Sequence, residues 1–154
     1  MNEPDHSKEP KVGLIQLSFA YLFEQIKIKK QQNINYVITA SYLEVYNEQV
    51  LDLLNPSGRA LNVRWNKIRG FYAENLFKVE CEDTGDLQGV LEEGMKNRQF
   101  RSHEMNEHSS RSHTLLTISI HCITTDPDDN SITRQGKTFC FLKFRTYCFV
   151  KTPY

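Results

Sequence analysis

The alternation of apolar and polar residues divides the chain into helical and extended segments. Near the start, apolar residues recur at the spacing of one helix face: Ile15, Phe19, Leu22, Phe23 and Ile26. This spacing predicts an amphipathic helix. The run 27–35 is basic and polar, which predicts that the helix ends there in an exposed loop.

The segment 36–46 is rich in β-branched and aromatic residues, and it is apolar on both faces of an extended chain. One face carries Val37, Leu43 and Val45, and the other carries Tyr36, Ile38, Ala40 and Tyr42. A strand of this kind is typical of a sheet that helices cover on both sides. The segment 48–54 is interpreted as a short helical turn, which the Asn-Pro-Ser-Gly run at 55–58 stops.

A hairpin is expected next along the chain. Two short strands are predicted at 61–64 and 71–79, joined through a turn at 65–70. Trp65 is expected to be a packing residue.

A second amphipathic helix is predicted at 86–100. Asp83 and Thr84 are suited to cap its first turn, and Asp86 has the charge that a helix N-terminus favours. The apolar positions fall on one helix face: Leu87, Val90, Leu91 and Met95.

The last part of the chain returns to an extended pattern. Alternation predicts a strand at 114–122, a turn or hairpin loop at 125–135 and a final strand at 138–142. Together these segments predict an α/β fold, with a mixed, mainly central β-sheet of roughly four to six strands and at least two helices packed on it.

Composition narrows the class of protein. The 154 residues suffice for one domain with a hydrophobic core, and 19 basic against 19 acidic residues give no field that attracts nucleic acid or a membrane. No signal peptide and no apolar run of membrane-spanning length is found, so a soluble, cytoplasmic protein is expected. The cysteines lack metal-site spacing and a secretory context, which predicts reduced thiols: Cys81, Cys122, Cys140 and Cys148.

Between the second helix and the following strand lies the polar string Asn106-Glu107-His108-Ser109-Ser110-Arg111-Ser112-His113. Serine hydroxyls can donate to phosphate oxygens or bind Mg²⁺, and arginine offers a planar fork of donors for phosphate or carboxylate. By composition alone such a run is more often a solvated loop. The spacing of His103, His108 and His113 does not align metal ligands on a helix face.

The order of these residues carries a resemblance. Asn-x-x-Ser-Ser-Arg-Ser-His, at 106–113, resembles the nucleotide-sensing loop called switch I in the kinesin motor domain. The run Ser-Tyr-Leu-Glu-Val-Tyr-Asn-Glu at 41–48, followed by Leu-Asp-Leu-Leu at 51–54, is similar to that family's central strand and the turn after it. The resemblance implies a partial kinesin-type motor domain at 12–142, with a disordered lead-in at 1–11 and a divergent tail at 143–154.

The resemblance also implies the ligands of the loop. Ser109, Ser110 and Arg111 match the family's catalytic positions, and these three together with Asn106 match its nucleotide-binding positions. ATP and Mg²⁺ are the implied cofactors, with the Ser110 hydroxyl matching the metal ligand. In this family Arg111 would pair with a glutamate of the second switch when the pocket closes.

Two other parts of that nucleotide site have no match in the sequence. A phosphate-binding loop needs Gly-x-x-x-x-Gly-Lys-[Ser/Thr] before a helix, whereas Gly136-Lys137-Thr138 has Ser131 at the first glycine position and is predicted to continue as a strand. The second-switch motif is also missing, since Leu142, Arg145 and Tyr147 stand at its Asp, Gly and Glu positions. This chain alone is therefore not expected to hydrolyse ATP at a useful rate.

The implied partner is the microtubule. In the family the hairpin near 61–79 faces tubulin, so Lys67 and Arg69 are candidate contacts with acidic tubulin. The function implied is that of a fragment of a kinesin-like microtubule motor associated with the cytoskeleton. The alternative is a non-enzymatic module that binds tubulin or an intact motor, while neutral charge and the absence of a basic stripe speak against nucleic acid. The sequence does not indicate the oligomeric state.

Overall fold

The computed structural model describes residues 13–30, 34–67, 70–104, 112–125 and 132–143. Helix α1 spans Leu14–Lys30 and helix α2 spans Thr84–Glu104. The strands are β1 (Asn35–Tyr46), β2 (Gln49–Asp52), β3 (Val63–Asn66), β4 (Gly70–Ala73), β5 (Val79–Glu80), β6 (Ser112–Thr125) and β7 (Ile132–Lys143). The predicted α/β fold is confirmed. The lead-in 1–11 and the tail residues 144–154 lie outside the described residues, whereas Lys143 ends β7.

The main sheet has five strands, with the order β2-β1-β6-β7 and with β5 paired to β1. Every pairing described in it is antiparallel. Strand β1 is central: it pairs over its whole length with β6, from Asn35 opposite Ile123 to Tyr46 opposite Ser112. Strands β3 and β4 form a separate two-stranded sheet.

The hydrophobic core lies between the main sheet and both helices. Its buried members come from alternate positions of β1 and β6, from one face of each helix, and from the residues that directly follow β2 and β5: Phe19, Ile38, Ala40, Tyr42, Leu53, Cys81, Leu87, Val90, Leu91, Leu116 and Ile118. The predicted helix face of α1 is confirmed, because Ile15, Leu22, Phe23 and Ile26 pack against this cluster. Both helices therefore cover the same face of the sheet. The prediction of helices on both faces has no counterpart in the described part of the chain.

Helix α1 is longer than the sequence suggested. Residues 27–30 continue the helix instead of forming a loop. Three of them are lysines in the last turn, where cations are favourable to the helix dipole. The charge that suggested a loop is thus compatible with a helix end.

The interpretation of 48–54 as a helical turn is wrong. Strand β2 occupies Gln49–Asp52 and pairs with β1, with Tyr46 opposite Gln49. The two residues of the turn, Asn47 and Glu48, have φ values of 48° and 62°. Positive φ at both central positions is typical of the tight hairpin turn whose twist matches two antiparallel strands.

The buried Asp52 carboxylate fixes the chain that follows β2. Oδ1 accepts hydrogen bonds from the backbone N–H groups of Leu54 (2.9 Å) and Asn55 (3.1 Å), and Oδ2 accepts one from Phe77 (2.7 Å). Because β3 and β4 lie between Asp52 and Phe77, this side chain holds together the two ends of the segment that contains the β3–β4 hairpin. The strand predicted at 71–79 is correspondingly interrupted after Ala73.

The first turn of α2 is capped as the sequence predicts. Asp83 Oδ1 accepts the backbone N–H of Asp86 at 3.0 Å, and Asp86 Oδ2 accepts those of Asp83 (3.4 Å) and Glu82 (2.7 Å). This reciprocal arrangement is a capping box with aspartate at both places. The helix then runs four residues beyond the predicted end, to Glu104.

Candidate functional site

Helix α2 and strand β6 flank the polar string that the sequence singles out. The helix ends at Glu104 and the strand begins at Ser112. The intervening residues 105–111 lie outside the described part of the chain, and with them Asn106, Ser109, Ser110 and Arg111. The structure therefore describes the two supports of this string, and the predictions for those four residues stay predictions.

A buried glutamate stands between the two supports. Glu44 belongs to β1, and its side chain is only 8% exposed. It lies on the same strand face as Ile38, Ala40 and Tyr42, which is the face that α2 covers. A carboxylate on an apolar strand face needs charged or hydrogen-bonding partners, because burying it alone is costly.

Those partners come from the two flanking elements. Arg98 of α2 places Nε 3.4 Å from Glu44 Oε1. The Ser112 hydroxyl, at the first residue of β6, donates a hydrogen bond to the same Glu44 oxygen. Arg98 Nη2 in turn donates to Ser112 Oγ at 3.3 Å. We call this three-residue cluster the Glu44 network.

The charges of the Glu44 network are partly shielded from water. The Arg98 side chain is 25% exposed, so the ion pair lies at the edge of the core rather than at the surface. In such a place the loss of one partner leaves a charge without compensation, which costs about 3–5 kcal/mol for fully buried pairs. The network therefore holds α2, β1 and β6 together most strongly when all three members are present.

A second polar contact reinforces the same end of α2. Asn97 Nδ2 donates to the backbone carbonyl of Leu53 at 2.7 Å and to Glu93 Oε1 at 3.1 Å. Asn97 thus binds the residue that follows β2, and the next residue, Arg98, binds β1 and β6.

The other candidate surface is the β3–β4 hairpin. Lys67 lies in its turn and is exposed, whereas Arg69 lies outside the described residues. Trp65 is directly opposite Phe71, and the two residues are 62% and 80% exposed. The prediction that Trp65 is a packing residue is wrong, because this hairpin forms its own two-stranded sheet with no described helix packed over the Trp65–Phe71 pair.

Glu44 and Arg98 were not predicted from the sequence as members of the site. One signal was available for Glu44, because an acidic residue continues the even-numbered, otherwise apolar face of β1. Arg98 gave no comparable signal, since an arginine near the end of an amphipathic helix is usually solvated. Met95 was also misassigned to the buried face, as it is 40% exposed.

Neither a metal cluster nor a membrane span is evident in the described residues. They contain no group of three or more His, Cys, Asp or Glu side chains arranged to hold a metal ion. None of the described helices combines the length and apolar character needed to cross a membrane. Within this part of the chain, the Gly136-Lys137-Thr138 triplet lies inside β7, so the expectation that a strand contains it is confirmed.

Comparison with known proteins extends these observations. The family profile of the kinesin motor domain matches residues 1–142. Mouse kinesin-like protein KIF12 is 41% identical over 136 residues, which are 84% of this chain and 20% of that protein. Kinesin-like protein Klp68D of Drosophila melanogaster is 40% identical over 106 residues, or 68% of this chain and 13% of that protein. The chain thus spans a fifth or less of these two relatives.

The fold is also similar to that of a kinesin motor domain. A solved structure of a fast kinesin superposes with a TM-score of 0.74 at 28% sequence identity, covering 84% of this chain and 35% of that one. The sequence resemblance is therefore confirmed, together with the partial motor fold that it implied. The chain belongs to the kinesin motor domain family.

Proposed function

We propose that this chain is the switch I part of a kinesin-like microtubule motor, which in the full-length protein couples ATP hydrolysis to movement along microtubules. The observation that carries the proposal is the Glu44 network, which joins the end of α2 to the start of β6. These are the two elements from which the Asn106–Arg111 string extends. Family membership supports the same function, since kinesin motor domains use nucleotide and Mg²⁺.

The roles proposed for the string follow from its donor groups. Ser109 and Ser110 offer hydroxyls to phosphate oxygens, and Ser110 offers its oxygen to Mg²⁺ as well. Arg111 supplies a cation that stabilises negative charge on a transferred phosphoryl group. Asn106 braces the string through its amide. Hydroxyl, amide and guanidinium donors fit an anionic phosphate, and bound Mg·ATP would supply the phosphoryl group.

Hydrolysis itself requires more than this chain provides. Without a phosphate-binding loop and the second-switch glutamate, most of the charge stabilisation is missing, and each lost donor of this kind costs about 10²–10³ in rate. We expect that the chain contributes to hydrolysis only together with the rest of a motor domain. The solved kinesin structure is described with implications for ATPase mechanism and for interactions with microtubules, which agrees with this assignment.

The test is a titration of the purified chain with fluorescent Mg·ATP, beside a thermal melt. We expect saturable binding that Ser110→Ala and Arg111→Ala each weaken by about tenfold, as for loss of a charged hydrogen bond. Arg59→Ala is the matched control, because Arg59 is an exposed arginine of another loop. Binding that is absent from a cooperatively melting chain, or that Arg59→Ala weakens equally, would contradict the proposal.

A second candidate function is a non-enzymatic module that binds tubulin. The exposed Trp65–Phe71 pair favours it, because a cross-strand aromatic pair beside Lys67 offers apolar area and positive charge to an acidic partner. Arg69 adds a second positive charge to the same hairpin.

Co-sedimentation with microtubules tests this module. We expect binding that is independent of nucleotide and is reduced in Lys67→Ala/Arg69→Ala. Lys96→Ala is the control, since the Lys96 side chain is 78% exposed on α2. The single tryptophan provides a direct readout, because its fluorescence should shift on contact with tubulin. Equal sedimentation of all variants, with an unchanged Trp65 spectrum, would exclude the hairpin as the contact.

A further inference from the structure

The two halves of α2 are attached to the sheet in different ways. In the first half, apolar packing dominates, with Leu87, Val90 and Leu91 buried in the core and Gly94 against the Tyr42 ring. Beyond Gly94 the pattern changes: Met95 is 40% exposed and Phe100 is 67% exposed. None of the residues 95–100 is buried.

Polar contacts therefore hold the second half of α2 where apolar packing ends. Among the described contacts these are the Asn97 hydrogen bond to Leu53 and the Arg98 contacts to Glu44 and Ser112. Polar contacts are directional, so they fix an orientation as well as a distance. This half of the helix leads directly to the Asn106–Arg111 string.

Glu44 is the common partner within the network. Its Oε1 accepts from the Ser112 hydroxyl and lies against Arg98 Nε, whereas Ser112 and Arg98 belong to elements on opposite sides of the string. A serine hydroxyl has one proton to donate. Because Ser112 gives that proton to Glu44, its oxygen is free to accept from Arg98, and the three contacts form a closed cycle.

From this geometry we infer that Glu44 is a positioning residue for the nucleotide-sensing string. It fixes the second half of α2 and the first residue of β6 relative to each other, through Arg98 and Ser112, and so sets the two points between which the string is held. The part of this inference that concerns nucleotide rests on the proposed function. The part that concerns α2 and β6 rests on the contacts alone.

The first experiment measures backbone amide exchange in the whole chain, for wild type, Glu44→Gln and Ser112→Ala. Glutamine keeps the size of the side chain and one acceptor oxygen but removes the charge that Arg98 compensates. We expect exchange in residues 95–104 to accelerate by about tenfold or more in Glu44→Gln, as for loss of a charged hydrogen bond. Exchange in 84–94 should be unchanged, because apolar packing holds that half. Glu80→Gln, an exposed glutamate of the same sheet, is the control.

A double mutant separates positioning from general destabilisation. If Ser112 acts through Glu44, the Glu44→Ala/Ser112→Ala variant should accelerate exchange little more than Glu44→Ala alone, because alanine at position 44 leaves no acceptor for the Ser112 hydroxyl. Additive effects of the two substitutions would mean that each residue acts independently, and this would overturn the closed network. Ser112→Ala leaves the Arg98–Glu44 ion pair in place, so it provides the exchange measurement if Glu44→Gln does not fold.

The second experiment titrates the same variants with fluorescent Mg·ATP. Weaker binding in Glu44→Gln, with faster exchange in 95–104, is the expected result. Faster exchange in a chain that binds no nucleotide even as wild type would keep the positioning role and overturn the proposed function. Equal nucleotide affinity in wild type and Glu44→Gln, with unchanged exchange, would overturn the positioning role while the proposed function stands.

Discussion

The contact between Gly94 and Tyr42 makes a quantitative prediction about how α2 packs on the sheet. A methyl group added at Gly94 would lie 2.6 Å from Tyr42 Cε1 and 3.0 Å from Cγ, and closer still to Cδ1. Tyr42 is only 4% exposed, so its ring has no open space into which to turn. Gly94→Ala must therefore move the helix or the ring, even though alanine is the better helix former.

The magnitude follows from two opposing terms. Replacing glycine by alanine in a helix interior gains about 1 kcal/mol. Overpacking a well-filled core costs about 1–3 kcal/mol, and a clash with a ring held in the core belongs at the upper end. We therefore expect Gly94→Ala to lower the free energy of unfolding by about 1–2 kcal/mol.

Gly89 provides the matched control in the same helix. Its added methyl would meet nothing within 4 Å, so Gly89→Ala should raise stability by about 1 kcal/mol. Urea and thermal melts of the two variants should differ by about 2–3 kcal/mol, or by roughly 5–10 °C in Tm for a chain of this size. If Gly94→Ala melts as high as Gly89→Ala, the close approach of α2 to Tyr42 is refuted.

Three further predictions concern buried groups. Asp52→Ala removes the acceptor of three backbone N–H groups and should cost about 3 kcal/mol in urea melts, whereas Glu80→Ala should change little. The Thr114 hydroxyl is buried without a hydrogen-bond partner among the described groups. Thr114→Val should therefore raise the free energy of unfolding, measured by urea melts, by about 1 kcal/mol. A lower free energy of unfolding in this variant would mean that the hydroxyl has a partner. Burial, with the nearby charge of Asp86, raises the pKa of Cys81 from 9.0 to about 11. Stability should therefore fall as pH rises from 9.0 towards 11, and this pH dependence, measured by urea melts, should be absent from Cys81→Ala.

Periodic apolar patterns predicted the elements that the core holds. The faces of α1, β1 and β6 were evident because their buried side chains recur at the helix or strand period. The start of α2 was evident from its capping residues. The hairpin of β1 and β2 was not evident, because glutamate rarely adopts a positive φ and the sequence gives no sign that Glu48 does so. The register with Tyr46 opposite Gln49 decides that turn, and register is a property of paired strands.

For the candidate site, the sequence identified the motif but not the residues that support it. The motif at 106–113 could be recognised from its order of residues, because that order is specific. Its support could not be derived, since Glu44 and Arg98 are far apart in the sequence and meet only when α2 lies across β1. Trp65 illustrates the opposite error: a large aromatic residue in a hairpin was assigned to packing, yet the hairpin stands apart from the main sheet.

The long pairing of β1 with β6 has a consequence for the order in which the chain folds. Strand β1 and β2 join through a two-residue turn, so this hairpin can form within about 1–10 μs once both strands exist. The other edge of β1 can pair only after β6 is present, because the partner of Asn35 is Ile123. Contacts so distant in sequence slow folding. During synthesis on the ribosome, the central strand is thus exposed along one edge until β6 has emerged, which makes this interval the period when chaperones matter most.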